Sequence, residues 1–221
     1  MSLSTPNSKI GFLIVITGLA GSGKDTVMTE FLKHHIVKSL NIQRVITCTD
    51  RKIRTGEAID AYYFLTSNKL DRLAKLGHFV EEVVNTGTSR KATLKSEITK
   101  LFSGVNLLWR IDPSRAVEIV KGEFFHKHFP ESADILIANT LVICLKAPKG
   151  IIEERRKRRI SENNDSEDFM LRDVQESPHL DILMKKAVVV ENRHAKIIET
   201  VESIATHVAQ HHAKIKNKKA Q

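Results

Sequence analysis

From residue 10 to residue 16 the chain is apolar throughout, and a run of that length reads as a buried strand ending at Thr17. After a glycine-rich stretch, Val27, Met28, Phe31 and Leu32 recur at helical spacing and predict a helix over 24–39. Further on, the pattern predicts a strand near 44–47, a polar loop over 51–60 and a short strand over 62–65. Ser67 is placed to cap a helix that runs to about Leu76 and ends at Gly77. Residues 79–84 look strand-like and 85–89 turn-like. A helix is expected over 91–102, with Leu94, Ile98 and Leu101 on one side. Residues 105–111 read as a core strand, and Asp112-Pro113 is a helix start signal for 114–121. Residues 122–139 show no clean period. A β run over 140–145 precedes a helix from about Lys149, and the acidic run Asp165 to Asp168 suits the start of another helix. A last strand over 187–190 and a last helix over 195–211 complete the pattern. Strands alternating with helices predict an α/β fold, a doubly wound parallel sheet with helices on both faces. Its ligand is then expected at the carboxyl ends of the strands.

The stretch between the first strand and the first helix is Gly18-Leu19-Ala20-Gly21-Ser22-Gly23-Lys24-Asp25-Thr26. In that context it reads as a phosphate-binding loop. Its glycines let backbone N–H groups turn inward, the helix start adds a positive dipole end, and Lys24 adds a full charge. The usual pattern has Ser or Thr directly after the Lys; here Asp25 intervenes and Thr26 follows. A nucleoside triphosphate with Mg²⁺ is the expected ligand.

Composition narrows the class without changing it. At 221 residues, 41% hydrophobic and 28% charged, the chain is long enough for one well-filled core, and a single domain over 1–221 is expected. No apolar stretch reaches the ~20 residues of a membrane span. The start, Met1 to Lys9, is polar and carries no apolar signal core, which points to the cytoplasm. Cys48 and Cys144 sit in apolar surroundings and read as buried reduced thiols, while the ten histidines, lacking zinc spacing, read as surface groups. The net charge of +9 concentrates in Arg155 to Arg159 and in the tail lysines. With only 5% aromatic residues to stack bases, it fits an enzyme that holds two anionic small molecules better than a nucleic-acid binder.

Downstream, Arg51-Lys52-Ile53-Arg54-Thr55-Gly56-Glu57 puts two guanidinium groups three residues apart, and a planar guanidinium fork suits a phosphate. Tyr62-Tyr63-Phe64, Phe79-Val80-Glu81, Gly87-Thr88-Ser89, Ile111-Asp112, the run Glu154 to Arg159 before Asp165-Ser166-Glu167, and Val188-Val189-Val190-Glu191-Asn192 follow in order. Together with the phosphate loop, this series resembles the guanylate kinases over about residues 10–208. The resemblance implies a core of about 10–42, 104–150 and 186–211, an acceptor-binding region of about 43–92 and a lid of about 153–176.

It further implies ATP-dependent phosphoryl transfer to a nucleoside monophosphate, GMP to GDP, with ATP and Mg²⁺ as cofactors and small-molecule nucleotides as substrates, and with no nucleic-acid or membrane partner. Lys24, Arg155, Arg159 and Arg172 would act on the transferring group. Gly18 to Thr26 and Asn192 would hold ATP, and Thr26, with Asp112 as second candidate, the Mg²⁺. Arg51, Arg54 and Tyr62 would grip the acceptor phosphate, with Thr47, Thr88, Arg110 and Asp112 beside it. Glu81 would accept hydrogen bonds from a guanine edge.

Two departures bear on the acceptor. Arg110 stands where the family carries an acid, and Thr86 where it carries a second tyrosine. An ion pair of Arg110 with Glu81 or Asp112 would reconcile the first with a guanine. Two other readings remain beside this one. The chain is also similar to ribose 1,5-bisphosphate kinases, through its Gly-Lys-Asp loop and Ser114-Arg115-Ala116. A non-catalytic guanylate-kinase-like binding module is the third reading, although such modules typically lose the phosphate loop that this chain keeps.

Overall fold

The computed structural model describes residues 10–53, 57–85, 89–163, 169–193 and 196–219. The elements are β1 (Leu13–Thr17), α1 (Lys24–Phe31), α2 (His35–Ser39), β2 (Ile42–Arg44), β3 (Thr47–Thr49), β4 (Tyr63–Phe64), α3 (Ser67–Lys75), β5 (Val84–Asn85), β6 (Arg90–Thr93) and α4 (Lys95–Ile98). A 3-10 turn (Thr99–Ser103) leads to β7 (Asn106–Arg110), α5 (Pro113–Val120), α6 (Glu123–His128), a second 3-10 turn (Pro130–Ser132) and α7 (Ala133–Ala138). Last come β8 (Thr140–Lys146), α8 (Lys149–Asn163), α9 (Phe169–Lys186), β9 (Val188–Glu191) and α10 (Ile197–Lys219).

The expected parallel sheet is present, in the order β2-β7-β1-β8-β9, with every pair parallel. Alternation along β1 divides the core between its two faces. Leu13 and Val15 point with Leu107, Trp109, Val142 and Cys144 toward α5, α6 and α7. Ile14 and Ile16 point with Leu108, Ile143 and Leu145 toward α1, α2 and α10. Each such side chain, fully buried, stabilises the fold by roughly 1.5–3 kcal/mol. Both cysteines are free and buried, and burial pushes the Cys48 thiol up to about 11. Among the described residues, no helix is long and apolar enough to cross a membrane.

A second sheet, ordered β4-β3-β6-β5, packs on α3 around Cys48, Leu70, Phe79 and Ala92. Here the sequence pattern misleads most. The helix expected over 91–102 begins as β6, because Ala92 is fully buried opposite Cys48 in an antiparallel ladder; helical residues start only at Lys95. The strand expected at 79–84 contracts to β5, with Phe79 making a lone bridge to Leu94. The strand expected near 44–47 divides into β2 of the main sheet and β3 of the second.

Other boundaries move for local reasons. The helix predicted over 24–39 breaks at Leu32, and its second half restarts behind His34, whose Nδ1 accepts the Ile36 N–H. Thr66, not Ser67, caps α3, accepting from the Lys69 N–H. Residues 122–139 form α6 and α7, which bury Phe124, Phe125 and Leu136 over one sheet face. The carboxylates expected to open a helix at 165–168 lie outside the described residues. Not all histidines are surface groups: the His34 side chain is 11% exposed, His128 packs on Phe124 and His211 lies against Phe12.

Candidate active site

Four segments leave the carboxyl ends of neighbouring parallel strands and converge. They are the loop after β1, Asp112 after β7, the start of α8 after β8, and Asn192 after β9. The loop's conformation needs its glycines. Gly18 has φ +141° and a Cβ there would lie 2.4 Å from the Leu145 carbonyl oxygen. Gly23 has φ +90° and its Cβ would lie 2.3 Å from Asn192 Nδ2. That asparagine is placed by the sheet: its N–H continues the ladder to the Lys146 carbonyl at 2.7 Å, while Nδ2 donates to the Ser22 carbonyl at 2.7 Å.

Lys24 opens α1 and is buried, its Nζ donating to the Gly18 carbonyl at 2.5 Å and the Leu19 carbonyl at 3.0 Å. Burial holds its ammonium below the usual value, and the negative charges of Glu176, Asp112 and Asp25 oppose that shift. Asp25 and Thr26 are exposed on the first turn of α1. The hydroxyls of Thr17 and Ser22 are buried at the loop and lack a hydrogen-bond partner among the described residues.

Helix α8 lies over the loop. Arg155 Nη1 reaches the Gly21 carbonyl at 3.4 Å. Arg156, which sequence reasoning passed over, does more. Its Nε and Nη2 donate to the Ala20 carbonyl at 2.9 and 2.6 Å, and its guanidinium grips both oxygens of Asp173 on α9 at 2.6 and 2.7 Å. It also covers the Phe169 ring at 5.2 Å. One side chain thus ties α8 and α9 to the loop after β1. Nothing in the Arg155 to Arg159 run distinguishes Arg156 from its neighbours, nor does any motif flag Glu176. Arg159 lies on α8 and Arg172 on α9; the described side chains do not include theirs.

The second sheet carries the expected acceptor residues. Arg51 follows β3 with Glu57 on its guanidinium, Nη1 lying 2.7 Å from Oε2, and it stacks over the rings of Tyr62 at 5.0 Å and Phe64 at 5.5 Å. Thr47 is half-buried at the start of β3, paired with Thr93. Glu81 is nearly buried, its Oε1 accepting the Thr93 N–H at 3.0 Å. Burial raises its pKa, while the bond from Thr93 and the charge of Arg115 pull it down. Arg54 and Thr88 lie outside the described residues.

Arg110, at the end of β7, faces both halves. Its Nη1 lies 3.1 Å from Asp25 Oδ1 and its Nη2 donates to the Tyr62 hydroxyl at 2.7 Å. The ion pair expected with Glu81 or Asp112 is therefore formed with Asp25, because the strand end aims Arg110 at the first turn of α1. Glu81 pairs instead with Arg115. Asp112 is the N-terminal boundary of α5 without a side-chain cap bond, and its charge acts on both Lys24 and Glu81.

No family model matches the chain. The guanylate kinase of Trichormus variabilis is 29% identical over 170 residues, covering 76% of this chain and 75% of that protein. The guanylate kinase of Prochlorococcus marinus (strain MIT 9312) is 30% identical over 155 residues, covering 70% of this chain and 75% of its own length. The chain belongs to the guanylate kinase family. The crystal structure of guanylate kinase from Anaplasma phagocytophilum superposes with a TM-score of 0.61 at 20% identity, over 92% of this chain and 87% of that one, and shows the same fold.

Proposed function

We propose that this protein transfers the terminal phosphoryl group of ATP to a nucleoside monophosphate, converting GMP to GDP. The observation that carries the reading is an intact phosphate loop, with Lys24 buried at its centre, in a chain of the guanylate kinase family. The loop residues fit a triphosphate. The Ser22 and Thr17 hydroxyls are buried with spare bonding capacity, and among the described residues the cation of Lys24 donates directly to backbone carbonyls.

Lys24 would exchange carbonyl oxygens for phosphate oxygens, and the first turn of α1 would add its N–H groups and dipole. Arg155, beside Gly21, would add positive charge over the transferring group, with Arg159 and Arg172 from the two lid helices. Mg²⁺, when bound, neutralises phosphate oxygens, and the Thr26 hydroxyl and Asp112 carboxylate are the hard oxygen donors suited to hold it. Asn192 would act by fixing the loop through the Ser22 carbonyl.

On the acceptor side, Arg51 would release Glu57 to take the acceptor phosphate. A phosphate monoester near neutral pH carries ≈ −1.5 to −2 charge against −1 for a carboxylate, so the exchange favours the substrate. Arg54, Tyr62, Thr47 and Thr88 complete that grip, Arg110 steadies Tyr62, and Glu81 offers acceptor oxygens to the ring N–H and amino group of guanine. Catalysis is then positioning and charge neutralisation, with the lid excluding water. Retention of Lys24 and of the loop glycines speaks against a non-catalytic module.

The test is an ADP-release assay on the full chain with GMP, dGMP, AMP, IMP and ribose 1,5-bisphosphate. GMP and dGMP are expected to give the highest kcat/KM; a clear preference for the phosphosugar overturns the reading.

A further inference from the structure

Resting on GMP as the acceptor, we propose that Arg115 on α5 is a positioning residue for base recognition, holding the Glu81 carboxylate in one orientation. Glu81 precedes β5 in an irregular segment, and the final torsion of a glutamate is broad, so one anchor leaves its carboxylate free to turn. The structure holds it from two elements, by one hydrogen bond and one ion pair. The Thr93 N–H on β6 takes Oε1 at 3.0 Å, and Arg115 Nε on α5 lies 3.4 Å from Oε2. The two side chains are only 15% and 11% exposed. Each carboxylate oxygen can accept more than one bond, so the anchored group keeps acceptor capacity for a pair of coplanar N–H donors, which is what a guanine edge presents.

The same contact governs charge. Burial favours the protonated form of Glu81, the negative charge of Asp112 at the head of α5 acts in the same direction, and Arg115 is the cation that opposes both. Protonated, Glu81 would aim an O–H at a donor edge and reject it. Arg115 is itself steered by Glu118 one turn on, and the guanidinium fork reaches both acids at once, which a lysine ammonium cannot copy. On α6, half-buried His128 feels the Arg115 charge; burial first, then Lys127 and Arg115, keeps it below its usual value.

The experiment compares the wild-type chain with Arg115→Gln and Arg115→Lys, measuring kcat/KM for GMP and IMP and KM for ATP from about pH 5 to about pH 9, a range spanning the ordinary carboxylate and histidine values. IMP lacks the exocyclic amino group. For Arg115→Gln we expect about a ten- to hundred-fold loss for GMP, because the near-buried Glu81 carboxylate loses its cation. The loss should be largest at low pH, with the acidic limb moved upward, a smaller GMP-over-IMP ratio and an unchanged KM for ATP. Arg115→Lys should restore the limb, since it restores the charge, but only part of the ratio. A loss equal at every pH and equal for GMP and IMP would make Arg115 a mere staple between α5 and the segment before β5 and overturn the proposal. Should Arg115→Gln fail to fold, Arg115→Lys decides alone: a wild-type GMP-over-IMP ratio overturns it. Failure of the acceptor reading is separately visible, because the wild type would then prefer another member of the acceptor panel, and the proposal would fall with it.

Discussion

Around the donor loop, cations meet backbone carbonyls: Lys24 on Gly18 and Leu19, Arg155 on Gly21, Arg156 on Ala20. In the acceptor region, cations meet carboxylates: Arg51 on Glu57, Arg90 on Asp50 and Asp71, Arg115 on Glu81. A carbonyl orients a cation and leaves its charge available, whereas a carboxylate cancels it until a stronger anion intervenes. On the proposed reading, the donor side would be charged in advance, and the acceptor side would become charged as substrate displaced internal partners. Arg156 shares both habits, since Asp173 neutralises it while the Ala20 carbonyl positions it; it holds α8 and α9 to the loop. Arg110 joins the regions, pairing with Asp25 behind the loop and donating to Tyr62.

The comparison breaks first at Lys24. Lys24→Ala should lower kcat by about 10²–10³, the scale of one electrostatic donor lost from a transition state, while circular dichroism stays native. Near-normal turnover would show that the donor loop's charge does not act on the reacting phosphate. A crossed pair of variants sharpens the contrast. Arg51→Ala should raise the acceptor's KM about ten-fold or more, as expected for a lost charged bond, with little change for ATP. Arg156→Ala should do the reverse, because it unties α8 from the Ala20 carbonyl and from Asp173 on α9 without touching the second sheet. If both variants weakened both substrates alike, the division into two regions would be wrong.

The smallest effect separates the site from the scaffold. Burial holds His211 below the ordinary histidine value, with the charges of Lys214, His212 and Lys218 acting the same way and a backbone bond with Asn139 opposing. A native pKa below the unfolded one contributes stability above about pH 6.5, and that stability is lost as pH falls toward the native value. Melting temperature should therefore drop from about pH 7 to about pH 5, less steeply in His211→Phe, while the ratio of the two substrates' KM values is unaffected. An identical slope in wild type and variant would remove His211 from the account.

Much of the donor half could be read directly. The strand, the glycine loop and α1 are contiguous, and each depends on neighbours within a few residues, so the pattern at 10–32 carried over to β1, the loop and α1. The acceptor half could be read only as motifs. Leu94, Ile98 and Leu101 do keep helical spacing, but Arg90–Thr93 are drawn into a ladder with β3, some forty residues away in sequence, and tertiary pairing overrode the local period. Arg51 was visible as a phosphate-binding type, but not its grip on Glu57.

What the sequence alone determined was the α/β class, the parallel sheet and the place of the phosphate loop, because periodicity and backbone freedom at glycine are local properties of the chain. What only the tertiary structure decided was which charge answers which. Arg110 found Asp25 from 85 residues away, and Arg156 found Ala20 from 136 away. An ion pair depends on distance in space, and nothing in the spacing of residues along a chain states which strand end will face which helix.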